Sequence, residues 1–402
     1  MREHLIPSRR NPAAEDALCG INAEAQRRKA AGEPILNAAL ETLVDDLGSP
    51  VVHESVMALW RELAPREIAP CAPIAGDPAF LEALTRWYWP SAPGAGPACA
   101  TPGGTGALAL SLRSFLLPGM SVLTATPFWG PYETLCSEHG STVVGAPAKQ
   151  PGRPLDLEAW RRAASALMGR QGRLLVWLND PCHNPTGLSL SHDDRQGLLA
   201  VLQDQAARGP VILLLDCAYL DYTGDPAHVR EALDDYAAFG QEGSALLAAA
   251  LSLSKALTLD GVRCGALVFP WIEDALLQTS LTQGCRGLWS TAPRPPQSLF
   301  LRLMKDGKRQ QQLHAEHRHW SEVLEARAIA LDAALRARGA DGAPWHGGFF
   351  ATVRTEAPAR VAERLWERGV FLVPVAGGLR VGLCALPARD MERLADAIAS
   401  AV

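Results

Sequence analysis

The chain has 402 residues, 48% of them hydrophobic and 20% charged, enough for one large core and a second, smaller one. Its 38 basic and 43 acidic side chains give a net charge of -5, which argues against the basic face that nucleic-acid binding needs. Nine scattered cysteines form no C-x-x-C pair, so neither a disulfide frame nor a zinc site is expected. The stretch Met1 to Asn11 is charged and carries no hydrophobic leader, and no apolar run approaches a bilayer span. These features predict a soluble, cytoplasmic protein.

In chain order, Glu15 to Gly32 has a polar helical pattern that stops at a glycine, and Pro34 to Gly48 is an irregular entry segment containing Asn37, Glu41, Asp45 and Asp46. A helix is predicted over Ser55–Leu63. Pro65, Pro70 and Pro73 then predict an extended connection, followed by a helix over Pro78–Tyr88 and a Pro/Gly-rich loop over Pro90–Pro97. From there short apolar strands alternate with helices, the pattern of an α/β domain with a largely parallel sheet. Strands are predicted at Ser121–Ala125, Thr142–Val144, Leu174–Leu178, Val211–Leu215, Ala245–Leu251 and Ala266–Phe269. Helices are predicted at Gly106–Leu116, Tyr132–His139, Leu157–Leu167, Asp193–Ala207 and Val229–Phe239. One long helical stretch, Gln297 to Arg338, leaves the sheet. Strands Phe349–Val353 and Leu379–Leu383 with helices Ala359–Arg368 and Arg389–Ala399 then read as a small α+β domain. The expected division is an N-terminal arm and entrance segment over 1–48, a large α/β domain over 49–296 and a small domain over 297–402.

Ligands in such sheets bind beyond the carboxyl ends of the strands, and most polar clusters here fall there. Of five lysines (Lys29, Lys149, Lys255, Lys305 and Lys308), only Lys255 directly follows a core strand, in Leu251-Ser252-Leu253-Ser254-Lys255. A partly desolvated amine there is available as a nucleophile, although a lysine can also simply end a strand and reach water. Thr101-Pro102-Gly103-Gly104-Thr105-Gly106 is a glycine turn opening a helix, which suits a phosphate or is an ordinary structural turn. Trp129 follows a strand, where its indole could cover a flat ring or fill core. Asn184 is presented by Cys182-His183-Asn184-Pro185-Thr186-Gly187. Asp216, in Asp216-Cys217-Ala218-Tyr219, closes an apolar strand, which is costly without a positive or protonated partner unless the residue is a cap. Arg380 lies within a predicted strand of the small domain, where it either meets an anion as a buried guanidinium must or faces solvent.

In this order and spacing, Gly-Gly-Thr-Gly-Ala-Leu, Trp129, Cys-His-Asn-Pro-Thr-Gly, Asp-x-Ala-Tyr, Ser-x-Ser-Lys with Arg263 eight residues later, and Arg380 resemble the class I/II aminotransferases. The likeness is closest to the aspartate and aromatic branch of these fold type I enzymes and runs from about Asn37 to the C-terminus. It implies pyridoxal 5'-phosphate as cofactor, held on Lys255 as a Schiff base, with Lys255 also shuttling the α-proton. It implies that Asp216 keeps the ring nitrogen protonated, that Asn184 and Tyr219 bond the ring oxygen, and that Trp129 stacks on the ring. It further implies that Gly104, Thr105, Ser252 and Arg263 hold the phosphate and that Arg380 takes the α-carboxylate of an amino acid substrate. A homodimer is implied too, without nucleic acid or membrane as partner.

Two places depart from the family's pattern. Cys71 stands where the family usually has a tyrosine that reaches the neighbouring subunit, and Glu41 stands where small residues usually line the substrate entrance. Arg286, rather than Arg294, fits the position of an arginine reaching across from the partner subunit toward a side-chain carboxylate. A carboxylate at the entrance motivates an alternative, a pyridoxal-phosphate lyase or carbon–carbon bond-forming enzyme using a cationic substrate such as S-adenosylmethionine. A ligand-sensing module would need a fused DNA-binding segment, and the stretch before Asn37 is too short and insufficiently basic for one. His314, His317 and His319 have helical spacing but not H-e-x-x-H spacing, and read as a solvated helix face rather than a metal site.

Overall fold

The fold is described from a computed structural model covering His4, 17–148, 155–223, 226–239 and 245–402. Lys149 lies outside the described residues, as does the start of the predicted Glu15–Gly32 helix, which is observed over Ala17–Ala30.

Among the described residues twelve strands form three sheets: β1 (Leu36–Asn37), β2 (Ala98–Thr101), β3 (Ser121–Thr126), β4 (Thr142–Pro147), β5 (Leu174–Leu178), β6 (Val211–Cys217), β7 (Ala245–Ser252), β8 (Gly265–Val268), β9 (Phe350–Arg354), β10 (Val370–Phe371), β11 (Val373–Val375) and β12 (Gly378–Gly382). The largest sheet has the order β2-β8-β7-β6-β5-β3-β4 and is parallel except for β8, which runs against both its neighbours. Its central strands are buried on both faces, as continuous apolar runs require. Alternate residues go to opposite sides: Leu174, Val176 and Leu178 of β5 join one core cluster, while Leu175 and Trp177 join another. Helices Pro78–Tyr88, Leu157–Gln171 and His192–Ala206 pack on the first face; Gly103–Phe115, Pro131–His139 and Ala275–Leu288 pack on the second.

A further core cluster surrounds the sheet β11-β12-β9 and the parallel pair β1-β10. Leu36, Ala38, Leu43 and Val51 from the entry segment belong to it, as do Cys182, Tyr219 and Tyr222 from loops after β5 and β6. The helix Gly307–Ala337 links the clusters: Leu313 packs with the large sheet, and Leu324, Leu331 and Leu335 with the small one.

Four expectations are corrected. The predicted long helix 297–338 is two, Arg294–Lys305 and Gly307–Ala337, because Asp306 stops the first and caps the second by accepting from the Arg309 N–H at 3.0 Å. The Pro65 connection contains a helical turn, Pro65–Ile68, since proline's fixed φ suits a first helical position. Strand β2 and helix Ala275–Leu288 were not predicted; the former is four residues of Ala, Cys and Thr, and the latter carries two glycines. The strand predicted at Ala266–Phe269 starts at Gly265.

Gly187 closes the turn after Asn184 with φ +69°, and a Cβ there would lie 2.1 Å from the Phe350 carbonyl oxygen. Gly172 has nearly the same φ, +71°, with nothing within 4 Å of that position. Gly172→Ala therefore loses only the backbone term of about 1 kcal/mol. Gly187→Ala should lower the thermal midpoint by clearly more than Gly172→Ala, as read by circular dichroism.

Candidate active site

The carboxyl ends of β5, β6 and β7 open on one pocket, and the segments after them carry its polar groups. Glu41, Gly104, Thr105, Trp129, Asn184, Asp216, Tyr219, Ser252, Lys255 and Arg263 all line it, so ten of the twelve residues singled out in the sequence converge there. Arg380 reaches the same cluster from β12 through its hydrogen bonds to Glu41 and Asn184. Arg286 does not: it is exposed, and its guanidinium donates to Ser290 Oγ at 2.7 Å. Cys71 and Arg294 are also away from this pocket, joined by a 3.2 Å bond from Arg294 to the Cys71 carbonyl. Lys29, Lys305 and Lys308 are exposed, which leaves Lys255 as the part-buried lysine among the described residues.

Asp216 sits at the end of β6, the central strand, and is buried. Its Oδ2 accepts from the Tyr132 hydroxyl at 2.7 Å, and the Ala218 N–H also donates to it. Neither partner is charged. Burial pushes its pKa up to about 6 despite these two bonds. Asn179 fixes the strand end by donating to the Asp216 carbonyl at 2.7 Å and accepting from the Asn184 N–H at 2.6 Å. Asn184 in turn donates to Tyr219 Oη at 3.1 Å.

Lys255 lies on the short helix Leu253–Ala256 that leaves β7, and its Nζ donates to the Glu41 carbonyl at 3.0 Å and Asp260 Oδ1 at 2.7 Å. The backbone beneath it is tied down. Tyr222 Oη donates to the Lys255 carbonyl at 3.0 Å, and His317 Nε2 bonds the Ala256 carbonyl at 2.7 Å. His317 is thus buried under the lysine helix rather than on a solvated face, while His314 and His319 are exposed as expected. No group of three metal-binding side chains occurs among the described residues.

The helix Gly103–Phe115 points its N-terminus at the pocket, with Ser252 and Arg263 beside it. Arg263 donates only to uncharged oxygens: Ser254 Oγ at 3.2 Å, the Asp260 carbonyl at 2.7 Å and the Pro102 carbonyl at 3.5 Å. A side chain at Gly103 would meet the guanidinium, since a Cβ there would lie 2.6 Å from Arg263 Nη2, and its φ of +76° favours glycine. This is an anion cradle: helix N–H groups, a hydroxyl and a guanidinium without a carboxylate partner.

Glu41 is the best-connected acid in the pocket. Its Oε1 accepts from Arg380 Nη1 at 2.8 Å, Trp129 Nε1 at 3.1 Å and Asn184 Nδ2 at 3.4 Å. Burial alone would push its pKa up, but Arg380, Lys255 and Asn184 outweigh it and hold the carboxyl below its ordinary value. Arg380 is itself buried and lies 4.4 Å from the Phe350 ring centre. Residue spacing carries no sign of this pair, because 339 residues separate its members. It also missed Asp260, Tyr132, Asn179 and His317. Tyr132 could have been found, since it opens a helix three residues after Trp129.

The sequence model for "Aminotransferase class I and II" matches residues 42–398, nearly the whole chain. The chain belongs to that family. This aminotransferase is 30% identical over 313 residues to the aromatic-amino-acid aminotransferase of Pseudomonas aeruginosa, covering 75% of this chain and 74% of the relative. It is 29% identical to a histidinol-phosphate aminotransferase of an Anaeromyxobacter species, over 67% and 65% of the two chains. Among solved structures, an aminotransferase from Anaerococcus prevotii superposes with a TM-score of 0.89 at 25% identity, over 98% of both chains. The aromatic-amino-acid aminotransferase from Burkholderia pseudomallei, solved covalently bound to pyridoxal phosphate, has the same fold, with a TM-score of 0.78, 22% identity and 97% and 98% coverage.

The raised pKa of Asp216 sets a pH dependence. Unfolded, the carboxyl ionises near its reference value of about 3.9; folded without a cationic partner, it holds its proton to about 6. The native state therefore binds more protons in this window, and stability falls as pH rises from about 4 to above 6. In cofactor-free protein, Asp216→Asn should remove that fall, worth about 1–3 kcal/mol. Denaturant unfolding of both proteins at pH 4.5 and pH 8 reads it.

Proposed function

We propose that this aminotransferase uses pyridoxal 5'-phosphate and moves an amino group from a donor to a carbonyl acceptor through Lys255. The observation that carries the reading is the pair of unmatched charges in the pocket: a buried Asp216 without a cation and an Arg263 without an anion. A pyridoxal phosphate presents a basic ring nitrogen and a phosphate, the two groups those charges lack. Bound there, it supplies the aldehyde that takes up the amino group and a ring that draws electrons from the carbon being deprotonated.

The roles of the chain's own residues follow. Gly104, Thr105, Ser252 and Arg263 would hold the phosphate. Trp129 would cover one face of the ring. Asp216 would keep the ring nitrogen protonated, and Asn184 with Tyr219 would hold the ring's oxygen. Lys255 Nζ would carry the covalent attachment and afterwards move the proton at the reacting carbon, which requires it to leave Asp260. Arg380 stands where the α-carboxylate of an amino acid or 2-oxo acid would be met, and Glu41 is its partner there in the ligand-free chain.

Amino-group transfer is favoured over the lyase or carbon–carbon bond-forming reading. The relatives are named as aminotransferases, and the charge of Glu41, which motivated a sulfonium substrate, is already met by Arg380. The relatives' names span aromatic amino acids, aspartate and histidinol phosphate, so the substrate must be argued from the pocket. The reading keeps the arm over 1–48, the large domain over 49–296 and the small domain over 297–402. It also keeps a homodimer, in which an exposed Arg286 could serve the partner's pocket. A cytoplasmic setting accords with the eight described cysteines being free thiols and with no described helix being long and apolar enough to cross a membrane.

Borohydride reduction of the loaded protein should fix the cofactor on Lys255, and Lys255→Ala should lose that attachment while keeping its fold. A peptide map placing the cofactor on Lys149 or another lysine would contradict the assignment. Light scattering at micromolar concentration should give twice the chain mass; a fully active monomer would remove the shared-site part of the reading.

A further inference from the structure

The strongest unexplained feature is that the one arginine available for a substrate α-carboxylate already holds a carboxylate of the chain itself. Arg380 Nη1 is bonded to Glu41 Oε1 at 2.8 Å and to Asn184 Oδ1 at 3.2 Å, and Nη2 to the Ala39 carbonyl at 2.7 Å. Nη1 thus has both of its hydrogens in use and Nη2 one of its two, while the buried Nε has no partner. Glu41 is not a loose surface acid: its side chain is 19% exposed, that of Arg380 is 4% exposed, and Trp129 and Asn184 add two further donors to the same oxygen.

The backbone that presents Glu41 is fixed as well. Leu36 and Asn37 pair with Val370 and Phe371, the Ala38 N–H donates to the Phe371 carbonyl at 3.0 Å, and the Gly382 N–H donates to the Ala38 carbonyl at 2.8 Å. A Cβ on Gly382 would lie 2.7 Å from the Leu40 carbonyl oxygen, so the strand carrying Arg380 and the segment carrying Glu41 are packed backbone to backbone. The acid and the guanidinium are thus delivered to each other by two elements in direct contact.

We propose that Glu41 is a resident carboxylate occupying the α-carboxylate subsite on Arg380, so that this aminotransferase takes as amino donor a primary amine or amino alcohol whose reacting carbon bears no carboxylate. This rests on the pyridoxal-phosphate reading and specifies its substrate class. A carboxylate-free donor leaves the Glu41–Arg380 pair intact. An α-amino acid brings a second anion to a site holding one, and binds only by displacing Glu41 from a desolvated partner, a cost it has to repay before any gain. In the transfer the donor gives up its amino group and one hydrogen and, taking oxygen from water, leaves as the aldehyde or ketone; the carbonyl acceptor takes both and releases its oxygen as water, and no outside oxidant is needed. An acceptor that is a 2-oxo acid meets the same competition from Glu41.

The test compares wild type with Glu41→Gln, which keeps the side-chain shape, and Glu41→Gly, which opens the subsite. The probe is 3-phenylpropionate, an unreactive carboxylate, with 3-phenylpropanamide as its uncharged control, measured by calorimetry on cofactor-free and loaded protein. Both variants should bind the carboxylate about ten- to a hundredfold more tightly than wild type, the range for gaining or losing one desolvated charge partner. The amide should change by less than about threefold, a difference within ordinary context dependence. In a donor series on loaded protein, the ratio of kcat/KM for phenethylamine over phenylalanine should fall about tenfold or more in each variant. Unchanged carboxylate affinity in both variants, each folded by circular dichroism, overturns the proposal, as does a wild type that prefers phenylalanine to phenethylamine. Loss of cofactor binding by wild type would instead overturn the pyridoxal-phosphate reading, and calorimetry on the cofactor-free protein would still decide the role of Glu41.

Discussion

A carboxylate buried at the end of the central strand, with no cation beside it, is the constraint around which the pocket is built. Leaving Asp216 ionised there is unfavourable, and only the Tyr132 hydroxyl and one backbone N–H offset it. Its position follows from the sheet: β6 lies in the middle, so its carboxyl end is walled by the loops after β5 and β7 and covered by the segment after β3. The same topology brings Lys255 in on the neighbouring strand and the Gly103 turn in from the helix after β2. A ligand with a protonatable nitrogen would relieve one of the two places in the pocket where the fold leaves a charge unmet.

Charge accounting extends this to the whole pocket. Glu41 meets Arg380, Asp260 meets Lys255, and the remaining acid and base, Asp216 and Arg263, are each left with neutral partners. The first two pairs, Glu41–Arg380 and Asp260–Lys255, hold before any ligand arrives. In the proposed reading Lys255 would exchange Asp260 for the cofactor, and only a carboxylate substrate would have to displace Glu41. The proposed cofactor would complete the other two. Support from behind comes through backbone carbonyls: Tyr222 and His317 hold the lysine helix, and burial keeps His53 beside them uncharged near neutral pH, its pKa pushed down to about 3.

Much of this was legible in the residues, for physical reasons that differ from site to site. Strands β5, β6 and β7 are buried on both faces and read as unbroken apolar runs, so the positions of Asp216 and Lys255 at their ends followed directly. Strand β2 was missed because four small residues after a Pro/Gly-rich loop carry no periodic signal; β8 and the adjoining loop decide its place. The break at Asp306 was available in the sequence as a capping residue followed by glycine, but the apolar spacing on either side reads as one helix. Glu41 was recognised as unusual, yet its partner was not, because a pair joining residues 41 and 380 exists only once the entry segment lies against β12. Asp260 was hidden between the lysine and arginine motifs, and nothing in its spacing distinguishes a turn residue from the counter-ion of Lys255.

The central claim is that the unmatched Asp216 and Arg263 define the two ends of a pyridoxal-phosphate site. A crystal structure of the protein loaded with that cofactor tests it most directly. The account predicts the ring nitrogen within hydrogen-bond distance of Asp216, the phosphate against Gly104, Thr105 and Arg263, and Glu41 still on Arg380 when no carboxylate substrate is present. A phosphate seated away from Arg263, or a ring nitrogen facing any group other than Asp216, would contradict it.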